Sequence, residues 1–196
     1  MVSGPLVLAS GSAARRAMLA DAGLVFTVQT SDVDEAALKT PGADPAELAC
    51  RLAEAKALAV SASMPGAWVI GGDQTLAFDG GLISKARSLD EARQRLSQMR
   101  GRSHTLHSGA ALVRDGAVVW SGVETATMVM RDISDPFLDT YLATEGEALL
   151  ACVGAYRLEG LGAQLFDRVD GDYFTVLGLP LWSLLAALRR AGAIAS

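Results

Sequence analysis

Two long segments, His104 to Val113 and Ala117 to Met130, stand on either side of Arg114-Asp115-Gly116, and the second is rich in Val, Thr and Met. Asp-Gly between such segments is a strong hairpin signal, because a two-residue turn needs positive φ at both central positions. A chain committed to so long an antiparallel pair must build a sheet around it. Further β-prone runs lie at Leu6 to Ala9, Val25 to Gln29 and Trp68 to Phe78, the last expected to break at Gly71-Gly72 and to present Asp73 at a strand end. Between them lie helices with their own start signals. Ser12 caps a helix over Ala13 to Ala22 that stops before Gly23, and Asp44 with Pro45 and Glu47 opens a second. Ser88 and Glu91 open a third, with Leu89, Ala92, Leu96 and Met99 on one face. Ser134 to Ala143 reads as a fourth, and the tail reads as a Gly-punctuated loop, two short strands and a last helix after Pro180. The order of elements predicts an α/β fold with a mixed sheet.

Composition narrows the class. At 196 residues and 51% hydrophobic, the chain is expected to form one domain, 1–196, with a sizeable core. A net charge of −5 argues against a broad nucleic-acid surface, although it leaves room for a pocket that holds one polyphosphate. There is no long uncharged apolar run and no Lys/Arg-led leader, so a cytoplasmic, membrane-free protein is expected. Cys50 and Cys152 suggest neither a disulfide framework nor a zinc cluster and are expected to be buried thiols.

Several residues have side chains suited to chemistry. "LVLASGSAARRAML" places a strand, two serines and an arginine pair at a helix start. There, backbone N–H groups, Ser10 and Ser12 hydroxyls and the Arg15 guanidinium can cradle a phosphate, or Ser12 simply caps the helix while the arginines are solvated. Asp73 can serve as a general base or metal ligand, or cap a turn; Asp34 and Glu35 offer further oxygens for a hard cation or are solvated acids. Lys56 and Lys85 are two of only three lysines, and each is either a point contact to phosphate or a surface charge. His104 and His107, three apart on a strand, face opposite sides and are assigned to structure.

In order along the chain, "LASGSAARRAML", "DVDE", "RLAEAKA", "VIGGDQTLAFDGGLISKA", "GRSHTLHSGAAL", "GAYRLEGLGAQLF" and "GDYFTVLGLPL" resemble the Maf family of nucleoside triphosphate pyrophosphatases. The resemblance implies a mixed, twisted sheet flanked by helices, similar to inosine triphosphate pyrophosphatases, with a cleft between two lobes. It implies cleavage of a nucleoside triphosphate between the α- and β-phosphates with a divalent cation, Mg²⁺, Mn²⁺ or Co²⁺. By the same resemblance Asp73 activates water, Ser10, Ser12, Arg15, Lys56 and Lys85 hold phosphates, and Asp34 and Glu35 lie near the metal, with Asp73 and Glu35 as its ligands. Ala14, Gln74 and Glu159 stand at the family's base-selecting positions. Gln74 and Glu159 look like the branch acting on 7-methyl-GTP, whereas the uridine/thymidine branch has Arg, Thr and Gln at the three places. Ala14 departs from the Trp common in the 7-methyl-GTP branch. A homodimer is implied as well, and the rival function is a non-catalytic, nucleotide-binding regulator of septum formation.

Overall fold

The computed structural model describes residues 4–40 and 42–195. It contains strands β1 (Leu6–Leu8), β2 (Thr27–Val28), β3 (Trp68–Phe78), β4 (Gly81–Ile83), β5 (Ser103–Arg114), β6 (Ala117–Met130) and β7 (Phe166–Asp170). The helices are α1 (Ala13–Asp21), α2 (Glu35–Leu38), α3 (Pro45–Ser61), α4 (Leu89–Met99), α5 (Asp135–Glu145), α6 (Tyr173–Leu177) and α7 (Leu181–Arg190). Short 3₁₀ segments cover Gly146–Ala151 and Leu161–Leu165. The strands form one sheet in the order β2-β1-β3-β5-β6-β7, with β4 paired to β3. The sheet is mixed, as expected: β1 runs parallel to β2 and β3, whereas β3–β4 and β6–β7 are antiparallel. Asp115 and Gly116, at φ 49° and 76°, make the two-residue turn between β5 and β6.

The chain forms two compact units whose boundaries fall inside β3, β5 and β6 and between β7 and α6. The first comprises residues 1–74, 107–124 and 173–196. Its strands alternate strictly, because successive side chains point to opposite sheet faces. Leu6, Leu8, Trp68, Ile70, Ala110 and Leu112 face Met18 and Leu19 of α1 and Leu181, Leu184, Leu185 and Leu188 of α7. Val7, Ala9, Val69, Ala111 and Val113 face Ala53, Ala57 and Val60 of α3. Each fully buried Leu or Val contributes roughly 1.5–3 kcal/mol relative to exposure, so both faces are firmly specified.

The second unit comprises residues 75–106 and 125–172. Ala92, Leu96 and Met99 of α4 and Leu138, Tyr141 and Leu142 of α5 are buried. His104 Nε2 lies 2.7 Å from the Tyr156 hydroxyl, and Phe166 packs edge-on to Tyr156 at 4.8 Å. His104 is 3% exposed, and burial pushes its pKa from 6.5 down to about 4. The folded chain therefore favours the neutral ring, and the unfolded chain takes up the extra proton as pH falls from 6.5 to 4. That linkage is fully favourable above pH 6.5 and is lost on acidification, to the extent of about 3 kcal/mol. His104→Gln is expected to flatten the pH dependence of the urea midpoint between pH 6.5 and 4, and an unchanged slope would contradict this assignment.

Four local expectations need correction. β3 is continuous through Gly71-Gly72, so Asp73 is an internal strand residue. Only Thr27–Val28 pairs in the expected Val25 to Gln29 strand, and Val25 is 92% exposed. In the tail a single strand, β7, is followed by the helix α6 where a second strand was expected. Cys50 and Cys152 are free thiols but only partly buried.

Candidate active site in the first unit

The opening stretch folds as its pattern dictates. After β1 the backbone leaves the sheet, and Ser12 at φ −65°, ψ 122° caps α1 by accepting from the Arg15 N–H. Ser10 Oγ accepts from the Ser12 N–H at 3.3 Å and from Arg15 Nη1 at 3.1 Å. Arg15 Nε donates to the Gly178 carbonyl at 2.7 Å. The guanidinium is thus held in one orientation with donors to spare, since it carries five N–H groups. Burial pushes the Arg15 pKa down, while the charges of Asp73 and Glu35 pull it up. The group stays cationic.

Two glycines position the opposite face of the sheet. A Cβ at Gly71 would lie 2.0 Å from the Ala53 carbonyl oxygen, and one at Gly109 would lie 2.4 Å from that of Ala49. The missing side chains let the Ala49-Ala53-Ala57 stripe of α3 rest its backbone directly on β3 and β5. Lys56 sits one helical turn beyond Ala53, and Asp73 two residues beyond Gly71 on the same strand face. This close approach brings Lys56 Nζ to 2.5 Å from Asp73 Oδ1. The same nitrogen lies 2.7 Å from Glu35 Oε1 of α2, while Lys39 pairs with the other Glu35 oxygen at 3.3 Å. The side chains of Lys56 and Asp73 are each only 13% exposed, so this pair is shielded from solvent far more than Glu35 at 40%. Burial tends to raise the Glu35 pKa, but hydrogen bonds and charge from Lys56 and then Lys39 outweigh it and leave the carboxyl below its ordinary value.

Gly72, facing the other way, leaves space for Arg15, whose Cδ and Nε would lie 3.1 Å from a Cβ there. The "GGD" run therefore admits a helix backbone on one side and an arginine on the other. Gln74 shares the Gly72 face, and its Nε2 serves three acceptors: Ser108 Oγ at 3.0 Å, the Thr175 carbonyl at 3.1 Å and the Val176 carbonyl at 3.0 Å. Three acceptors around one atom fix the amide nitrogen on that side. Ala14 is half-buried on α1. Asp34 is exposed and caps α2, its Oδ1 accepting from the Ala36 and Ala37 N–H groups at 3.0 and 3.3 Å.

The remaining two candidates belong to the second unit. Lys85 is exposed between β4 and α4. Glu159 is exposed and pairs with Arg157 Nε at 3.3 Å, and Arg157 Nη1 in turn meets the buried Glu145 at 3.2 Å. The structure thus brings Ser10, Ser12 and Arg15 together, and Glu35, Lys56 and Asp73 together. Sequence reasoning missed Ser108 and Gly178, although a serine before a glycine within an apolar strand pattern and a glycine before Leu-Pro are both visible in the sequence. Among the described residues no group of three His, Cys, Asp or Glu side chains could hold a metal by itself. No helix of the described residues is long and apolar enough to cross a membrane.

The family model for Maf-like protein matches residues 5–191. A 7-methyl-GTP pyrophosphatase of Rhizobium meliloti (strain 1021) is 49% identical over 193 residues, covering 96% of this chain and 97% of that protein. A nucleoside triphosphate pyrophosphatase of Maricaulis maris (strain MCS10) is 50% identical over 190 residues, covering 96% and 97%. Among solved structures, a nucleoside-triphosphatase (dITP/XTP pyrophosphatase) of Mycobacterium abscessus matches 66% of this chain and 75% of its own, at 16% identity and a TM-score of 0.40. With a family match across nearly its whole length and relatives half identical to it, the chain belongs to the Maf-like protein family.

Proposed function

We propose that the chain hydrolyses nucleoside triphosphates to the monophosphate and pyrophosphate with a divalent cation, and favours 7-methyl-GTP or a related modified purine. The observation that carries this reading is the convergence of Asp73 Oδ1 and Glu35 Oε1 on one cationic atom, Lys56 Nζ, at 2.5 and 2.7 Å. Two hard carboxylate oxygens that already gather around one positive charge are a donor set suited to Mg²⁺ or Mn²⁺, which usually takes one or two carboxylates and completes its shell with water and phosphate. Asp73 and Glu35 would hold such an ion, which would supply charge neutralisation and orientation of the polyphosphate.

The chain's own residues do the rest. Asp73 accepts the proton of the attacking water, whose oxygen bonds to the α-phosphorus as the bond to the α–β bridging oxygen breaks and pyrophosphate leaves. Ser10, Ser12 and Arg15 hold phosphate oxygens at the start of α1, where the helix dipole favours anions. Lys56 adds a point charge, in keeping with a reaction that depends mostly on positioning and charge. Glu159 accepts from the N1–H and N2 amino group of a guanine, and Arg157 holds its carboxylate in place.

The test is pyrophosphate release across a panel of ordinary and base-modified triphosphates with Mg²⁺ or Mn²⁺. The kcat/KM for 7-methyl-GTP is expected to exceed that for UTP and dTTP at least about tenfold. Preference for the pyrimidines would reassign the substrate, and binding without turnover would favour a regulatory role.

A further inference from the structure

α6 has only five residues and cannot hold itself, since isolated helices that short are unstable in water. Its carbonyls are captured from the sheet. The Thr175 carbonyl accepts from Ser108 Oγ at 2.7 Å and from Gln74 Nε2 at 3.1 Å, and the Val176 carbonyl accepts from Gln74 Nε2 at 3.0 Å. Ser108 is fully buried on β5. The helix then ends at Gly178, whose N–H donates back to the Phe174 and Thr175 carbonyls at 3.1 and 3.2 Å. Gly178 adopts φ +107°, which turns its carbonyl onto Arg15 Nε at 2.7 Å, and a Cβ there would lie 3.4 Å from Arg15 Nη2 and 3.8 Å from Gln74 Cδ. A continuous set of hydrogen bonds therefore leads from Ser108 and Gln74, through the last turn of α6, to the guanidinium.

We infer that Gln74 and Ser108 are positioning residues that set the orientation of the Arg15 guanidinium through α6 and the Gly178 carbonyl. The inference rests on the proposed placement of phosphate at Arg15 and adds to it that Gln74 acts on the phosphates as a whole, because its amide donors are spent on protein carbonyls. Ser108 makes its side-chain hydrogen bonds to Gln74 and the Thr175 carbonyl, and to none of the groups proposed to hold phosphate. Its effect on phosphate must pass through the brace.

The experiment is a double-mutant cycle in the full chain, with tripolyphosphate as a base-free probe titrated calorimetrically in Mg²⁺. Ser108→Ala is expected to weaken tripolyphosphate about tenfold in the otherwise unchanged chain, and less than about twofold beside Arg15→Met. In steady-state assays Ser108→Ala and Gln74→Met are expected to raise KM by a common factor for 7-methyl-GTP and UTP while kcat changes less than about threefold. Thermal unfolding checks that each variant folds, and Gln74→Met carries the same cycle if Ser108→Ala does not. An undiminished Ser108→Ala effect beside Arg15→Met, or a Gln74→Met effect confined to one base, would overturn the inference. Tripolyphosphate binding that obeys the cycle in a chain that turns over no nucleotide would uphold the brace and remove the proposed activity; no tripolyphosphate binding at all would remove both.

Discussion

Asp73→Asn is expected to reduce pyrophosphate release by about 10³-fold at saturating nucleotide, with the thermal midpoint moved by only a few degrees. A positioned general base contributes typically 10²–10⁴ in rate, and an amide of the same shape cannot take the proton. The substitution also replaces one of the two carboxylates that gather at Lys56 Nζ by a neutral amide, so metal dependence shifts to higher cation concentration. Stability is largely preserved because Lys56 keeps Glu35 at 2.7 Å and is not left as a lone buried charge. The measurements are kcat, the metal concentration for half-maximal rate, and a thermal melt. Full activity in Asp73→Asn would remove the carboxylate from the mechanism.

Gly71→Ala is the second large effect, and it acts on the fold. A methyl group 2.0 Å from the Ala53 carbonyl and 2.9 Å from the Ala57 Cβ cannot be absorbed by a rotamer change, because the first of these neighbours is backbone. α3 must move off β3, and overpacking of this kind costs roughly 3 kcal/mol or more. Lys56 moves with the helix, so activity falls together with stability. Urea titration is expected to show a lower midpoint with an unchanged slope, since the surface exposed on unfolding is the same. Gly81→Ala is the control, because its added Cβ would meet only the Phe78 carbonyl at an ordinary 3.7 Å. Equal losses from the two substitutions would show that the Gly71 contact is not what seats the helix.

Much of this was legible in the residues. The strand, the capping serine and Arg15 follow from a local pattern, and Asp44, Pro45 and the capped start of α3 lie where the sequence places them. Three of the four corrected expectations share a cause: they concern glycines and short segments whose conformation is decided by distant contacts. Gly71-Gly72 reads as a break, yet both residues stay extended because one admits the backbone of α3 and the other admits Arg15. The tail reads as two short strands before Pro180, yet "YFTVL", despite its aromatic and β-branched residues, is helical where Gln74, Ser108 and the Gly178 turn take up its carbonyls. The meeting of Glu35 with Lys56 joins α2 to α3, and no spacing in the sequence announces it.

The most direct test of the central claim is product analysis by ³¹P NMR after turnover of 7-methyl-GTP with Mg²⁺, because it reports which phosphoanhydride bond breaks. Equal amounts of pyrophosphate and nucleoside monophosphate are predicted from the unsubstituted chain, and neither from Asp73→Asn. Orthophosphate with nucleoside diphosphate, or an unchanged triphosphate spectrum, would contradict the account.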